Sequence, residues 1–142
     1  MELIDTHSHI YYDKYTDINE VLDRARDNNI SKIICVGVDI ESSYKSITLA
    51  EKYDMIYATA GFHPHESKDA KKNYIKELEN LLSHEKVVAL GEIGLDFFYK
   101  HSDKETQINI FEEQLLLAKS LDIPCIIHNR ESDKELINSI NK

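Results

Sequence analysis

Asp5-Thr6-His7-Ser8-His9 places two imidazoles at i and i+2 behind a short apolar run. Alternate residues of an extended segment point the same way, so both rings can reach one cation. Asp5 shares that parity and could orient a ligand histidine rather than bind metal itself. Glu92 follows the apolar segment Val87-Val88-Ala89-Leu90-Gly91. A carboxylate beside a core must be paired, protonated or on a metal. Bridging two divalent ions fits Glu92, and a structural ion pair with a lysine or arginine is the competing explanation. Asp96, further on, reads as a cap for the segment after it. His128 ends Ile123-Pro124-Cys125-Ile126-Ile127 and closes the ligand set. Arg130 carries a planar fork suited to phosphate, with helix capping or a pair with Glu131 as the equally ordinary alternative. His63-Pro64-His65 follows Ala60-Gly61-Phe62, and one of the pair, His63 in preference to His65, reads as a contact to substrate phosphate or leaving group. A proline-stiffened loop with two solvated imidazoles is the plainer alternative. His84 and His101 are assigned to solvent. Tyr11, Tyr12 and Tyr15, and Phe97, Phe98 and Tyr99, either offer stacking surfaces to unpaired bases or anchor their loops.

These residues need elements to hold them. Runs rich in β-branched residues at Glu2 to Thr6, Lys32 to Val38, Met55 to Gly61, Val87 to Gly91 and Pro124 to His128 predict strands buried on both faces. Between them, apolar residues at three- and four-residue spacing predict helices starting near Asp17, Glu41 or Ser42, Asp69 and Asp103, with another near Glu131. The alternation demands a parallel sheet with right-handed crossovers. His7, His9, His63, His65 and His128 all leave a strand at its C-terminal end, where a barrel gathers its chemistry in one mouth. The first βα turn lacks GxGxxG, so a dinucleotide-binding sheet is disfavoured. The expected fold is α/β, a parallel (β/α)8 TIM-type barrel, incomplete at about five βα units.

The 142 residues contain 17 Lys and Arg against 26 Asp and Glu, a formal charge of −9. That argues against a basic-patch mode of nucleic-acid binding, but bound cations can reverse the local sign for a polyanion. Cys35 and Cys125 sit in apolar runs and read as core thiols. The N-terminus has neither a cationic n-region nor a long apolar h-region, and no apolar stretch approaches the ~18 residues of a membrane span, which predicts a cytoplasmic protein without membrane association.

Taken together, DTHSH at Asp5 to His9, GFHPH at Gly61 to His65, GEIGLDFFY at Gly91 to Tyr99, the spacing of Gln107, Phe111 and Gln114, and IIHNRES at Ile126 to Ser132 resemble the TatD family of metal-dependent hydrolases. The resemblance implies a (β/α)8 barrel with a two-metal centre acting as a nuclease, usually an exonuclease on DNA, with RNA left open as an alternative substrate. It implies that His7 and His9 bind one ion, Glu92 bridges both, His128 binds the other, and His63 lies on the substrate side. Glu92 and His63 are then the residues expected in catalysis, with His65 and Arg130 beside the substrate. The cations could be Mg, Mn or Zn. A complete barrel takes about 250 residues, so residues 1–142 are expected to be a single domain forming the N-terminal part. The histidine and aspartate that family members carry on later strands are lacking, and impaired activity is expected. Open sheet edges invite self-association. Two other functions fit the same residues: an ester or amide hydrolase, for example on aminoacyl-tRNA, and a non-enzymatic truncated remnant.

Overall fold

The computed structural model of the chain describes residues 1–142. Five strands and five helices alternate: β1 (Leu3–Ser8), α1 (Ile18–Asp27), β2 (Ile30–Val36), α2 (Ile40–Lys52), β3 (Ile56–Ala60), α3 (Tyr74–Leu82), β4 (Val87–Asp96), α4 (Lys104–Leu121), β5 (Cys125–Arg130) and α5 (Asp133–Ile140). All neighbouring strands pair in parallel, in the order β1-β2-β3-β4-β5. Consecutive strands that are also spatial neighbours make half of a parallel barrel, as the alternation predicts.

Helices cover one face of the sheet because their apolar residues recur on one side. Leu22 and Ala25 of α1, Ile47 and Ala50 of α2, Leu78 and Leu81 of α3, and Phe111 and Ala118 of α4 join Ile33, Ile56 and Leu90 of the strands in one apolar cluster. Burial of this kind, at about 25 cal/mol per Å², drives the layer to form. Helix starts are tied down locally. Asp17 accepts the Asn19 and Glu20 amides, Asp39 and Ser42 form a capping box, and Asp103 accepts the Thr106 amide.

Several boundaries differ from those read in the sequence. The helix expected from Asp69 begins at Tyr74, because Pro64 starts a 3-10 turn over Pro64–Asp69 that takes the loop across the mouth. The last helix begins at Asp133 rather than near Glu131. Strands β1, β4 and β5 each run past their predicted ends, so His7, Glu92, Asp96 and Arg130 are themselves strand residues, as His128 is. Burial on both faces holds for β4 but not for β1 and β5, which lie at the edges and leave Leu3, Ile4 and Ile127 exposed. Cys35 is buried, and Cys125 on the edge strand is half-buried. No helix is long and apolar enough to cross a membrane.

Candidate metal centre

Two buried glutamines hold the ends of β3 and β4 in place. Gln107, Phe111 and Gln114 fall on one face of α4 and all three are buried. Gln114 accepts the Phe62 amide at 2.7 Å and donates to the Phe62 carbonyl at 3.1 Å, fixing the segment that leads into His63. Gln107 accepts the Asp96 amide at 2.9 Å and donates to the Asp96 carbonyl at 3.0 Å. A carboxamide that matches both backbone groups leaves no buried polar atom unsatisfied. Gly94 lies at φ +139°, and a Cβ there would come within 2.0 Å of the His128 carbonyl oxygen. Its absence lets β4 and β5 approach beside the site.

Glu92 is the centre of the arrangement. Its Oε2 lies 3.2 Å from His7 Nε2 and its Oε1 lies 3.1 Å from His128 Nδ1. Possible donor atoms fall into the groups His7, His9, Glu92 and His63, Glu92, His128, each within 4.8 Å of one another. Glu92 is 8% exposed and has neither a lysine nor an arginine beside it. The ion-pair explanation through a lysine or arginine therefore fails, and imidazoles are its partners. Burial opposes its ionisation, but the His128 hydrogen bond with His63 and His7 holds its pKa below the ordinary value.

On the β1 side, His9 Nδ1 lies 2.9 Å from the Val36 carbonyl oxygen. A carbonyl only accepts, so Nδ1 carries the proton and Nε2 is a free donor atom facing His7 Nε2 at 3.3 Å. Burial lowers the His9 pKa, with the Val36 carbonyl opposing, which keeps the ring neutral as a ligand must be. Asp5 acts differently from expectation: its Oδ1 accepts the backbone amide of His7 at 3.1 Å. It fixes the strand end rather than an imidazole.

On the other side, His128 stands between two carboxylates, with Nε2 3.1 Å from Asp96 Oδ2. The Glu92 hydrogen bond raises its pKa, burial opposes, and Asp96 adds to the rise. Asp96 is 1% exposed, and its Oδ2 also lies 2.9 Å from His65 Nε2. Its Oδ1 accepts the Phe98 and Tyr99 amides, which is the capping role read from sequence. Burial opposes ionisation here too, yet the Tyr99 amide, His65 and His128 bring its pKa down to about 2. The sequence reading missed this second use of Asp96. Alternation was the available signal, since Glu92, Gly94 and Asp96 share one parity and Gly94 pairs with His128.

His63 is 9% exposed and its ring centroid lies 4.4 Å from that of His128. Its Nδ1 accepts the His65 amide at 3.2 Å, so the proton sits on Nε2. His63 therefore presents an N–H donor to the cluster, which suits an oxygen of a substrate better than a cation. Burial pushes its pKa down to about 4. Arg130 has no carboxylate within ion-pair distance, and its guanidinium lies 4.0 Å from the Phe98 ring centroid and 4.7 Å from that of Tyr99. His101 is exposed as expected, but its ring lies 4.6 Å from His65 at the rim. His84 is not free in solvent, having Glu51 at 3.2 Å.

The donor set therefore fits divalent cations, with imidazole and carboxylate atoms convergent and their tautomers set by neighbours. The chain matches the family model described as TatD related DNase over residues 4–142. It is 38% identical over 136 residues to the uncharacterized metal-dependent hydrolase YabD of Bacillus subtilis, covering 95% of this chain and 53% of the relative. It is 38% identical over 122 residues to the 3'-5' ssDNA/RNA exonuclease TatD of Edwardsiella piscicida, covering 85% and 47%. The crystal structure of YjjV, a TatD homolog from Escherichia coli, superposes with a TM-score of 0.86 at 36% identity, covering 94% of this chain and 53% of that one. The chain thus spans about half the length of the relatives it matches.

Proposed function

Since the chain belongs to the family of TatD-related DNases, we propose that it is the part of a metal-dependent hydrolase that holds the cations and cleaves phosphodiester bonds in single-stranded DNA, with RNA as a related substrate. In this reading residues 1–142 form a single domain, the N-terminal portion of the barrel. His7, His9 and Glu92 would hold one cation, and Glu92 with His128 would hold the other. A divalent cation held there would supply an acidified water and counter-charge for the departing oxygen. Magnesium, manganese and zinc all suit this mix of imidazole and carboxylate.

The residues around the cations have separate tasks. Glu92 offers one oxygen to each side. Asp96 holds the Nε2 proton of His128 and leaves Nδ1 for the cation side. His63 donates its Nε2–H to a phosphate oxygen, and Arg130, parked on Phe98 and Tyr99 without a counter-ion, supplies the cationic contact an anionic strand needs. His65 extends that contact at the rim. The uncovered outer edges of β1 and β5 favour association with a further strand, from another copy or another polypeptide.

The observation that carries this reading is the shared carboxylate, 3.2 Å from His7 and 3.1 Å from His128. A labelled single-stranded oligonucleotide and a carboxylic ester, incubated in parallel with concentrated protein and Mn²⁺, test it. Slow oligonucleotide cleavage, lost on chelation and in Glu92→Gln, is expected. Cleavage of the ester alone would replace the nuclease reading with that of an esterase.

A further inference from the structure

The loop after His9 is built of aromatic residues that the proposed chemistry leaves unused. Tyr11 places its hydroxyl 3.1 Å from His9 Nδ1, and the Tyr12 ring lies 5.6 Å from the His9 ring at 40°. Behind these rings, between the β1–α1 loop and α2, is a cavity of about 500 Å³ whose walls include Tyr12, Tyr15, Ile18, Tyr44 and Leu49. That size falls within the range of sites for small organic molecules. Tyr11 and Tyr15 are half-buried and anchor the loop, whereas Tyr12 and Tyr44 are 45% and 55% exposed. Both rings are largely open to solvent, and that of Tyr12 also leans on the Tyr11 and His9 rings.

Charge decides which part of a strand could enter. The polar rim consists of Asp13, Glu41, Lys45 and Thr48, and Lys45 is already paired with Glu41 at 2.7 Å. Two acids against one neutralised lysine repel a phosphate. An uncharged planar ring with polar edges meets no such penalty, and aromatic walls stack with any base regardless of sequence. Lys14 stays outside, over the Tyr15 and Tyr12 rings at 5.0 and 5.8 Å, where a neighbouring phosphate would pass. The cavity adjoins the centre across two rings, since Tyr11 and Tyr12 lie against His9 on one side and line the cavity on the other.

We propose that this cavity is a nucleobase subsite, holding one unpaired base of the strand whose phosphodiester lies against Glu92. The inference rests on the nuclease reading and adds the residues that select a single strand: Tyr12 and Tyr44 can stack only with a base that has left its duplex partner.

The test uses phosphorothioate-linked single-stranded oligodeoxynucleotides with Mg²⁺ and the 142-residue chain, and reads binding rather than turnover. A 2-aminopurine placed at successive positions should lose fluorescence at one of them on binding. An abasic residue at that position should weaken binding roughly 5- to 100-fold, the range of one base–aromatic stack. Tyr12→Ala and Tyr44→Ala should abolish the difference between base-bearing and abasic strands, and Tyr12→Phe should keep it. Circular dichroism checks that these exposed substitutions leave the fold intact. Binding that is indifferent to base removal at every position, or to both alanine substitutions, overturns the subsite and leaves the nuclease reading standing. Failure to bind any oligonucleotide while calorimetry shows cations bound overturns both.

Discussion

His7 on β1 and His128 on β5 both reach the Glu92 carboxylate, yet the two sides of the centre are held very differently. The His7 side chain is 41% exposed, and its ring has only Glu92 and His9 as partners. On the other side the His128 side chain is 24% exposed and is gripped at both ring nitrogens, with the buried Asp96 behind it and His63 against its face. Gln107 in turn fixes Asp96 from α4. The β1 side offers more donor atoms, and the β3–β5 side offers better-fixed ones. A site can be complete in ligands and loose in geometry, or sparse and rigid, and partners outside the ligand set decide which.

The largest effect is expected at Glu92, the one residue both sides share. Glu92→Ala should weaken cation binding on both sides by more than about 100-fold, because loss even of an outer partner costs 10- to 100-fold. Isothermal calorimetry with metal analysis reads this, and retention of one tightly held ion would show that the carboxylate is not shared. Asp96→Asn keeps the shape and the capping of Phe98 and Tyr99 but removes the charge behind His128. It should cost about 10- to 100-fold on the β3–β5 side only, read from histidine NMR shifts during a Zn²⁺ titration. An equal loss at His7 and His9 would mean that Asp96 steadies both sides alike.

Acidity should separate the sides more gently. Cation binding must displace the proton that Glu92 and Asp96 hold on His128, whose pKa is raised, whereas burial has lowered that of His9. As pH falls toward 6.5, loading near His128 should weaken first, by at most about tenfold per pH unit for one proton. Without cations the sign reverses. A histidine with a raised folded pKa stabilises fully below its ordinary value of 6.5, and that contribution disappears as pH climbs through the raised value. His63 runs the other way, since its pKa near 4 favours the fold above 6.5 and that support is lost toward 4. Calorimetry with Mn²⁺ and melts in chelator should therefore tilt in opposite directions as pH rises above 6.5. The smallest effect is expected from His63→Ala. It should leave cation stoichiometry unchanged and affinity within about twofold, because the ring presents an N–H. A clear loss of one ion would make His63 a ligand.

The alternation of elements and the histidines behind the strands were legible because periodicity and strand parity are local properties. Each of His7, His9, His63, Glu92 and His128 could be named from its place after an apolar run. The length of β4 was not legible, since Gly91 and Gly94 look like breaks in a sequence. They are close approaches in the sheet, toward Ile126 and His128 respectively. The start of α3 was misread for a related reason, because Pro64 and the charged residues after it support a 3-10 turn as well as a helix.

Residue types and their spacing determined by themselves that a parallel βα layer would carry imidazoles and one acid at its C-terminal rim. Only the tertiary structure decided what each of them is for. The Val36 carbonyl chooses the His9 tautomer, the His65 amide chooses that of His63, and Asp96 reaches across to His128. Those partners lie 27, 2 and 32 residues away. A ring proton goes to the nitrogen that meets an acceptor and leaves the one that meets a donor; for His9 and His128 strand packing supplies that partner from far along the chain, and for His63 the 3-10 turn supplies it locally.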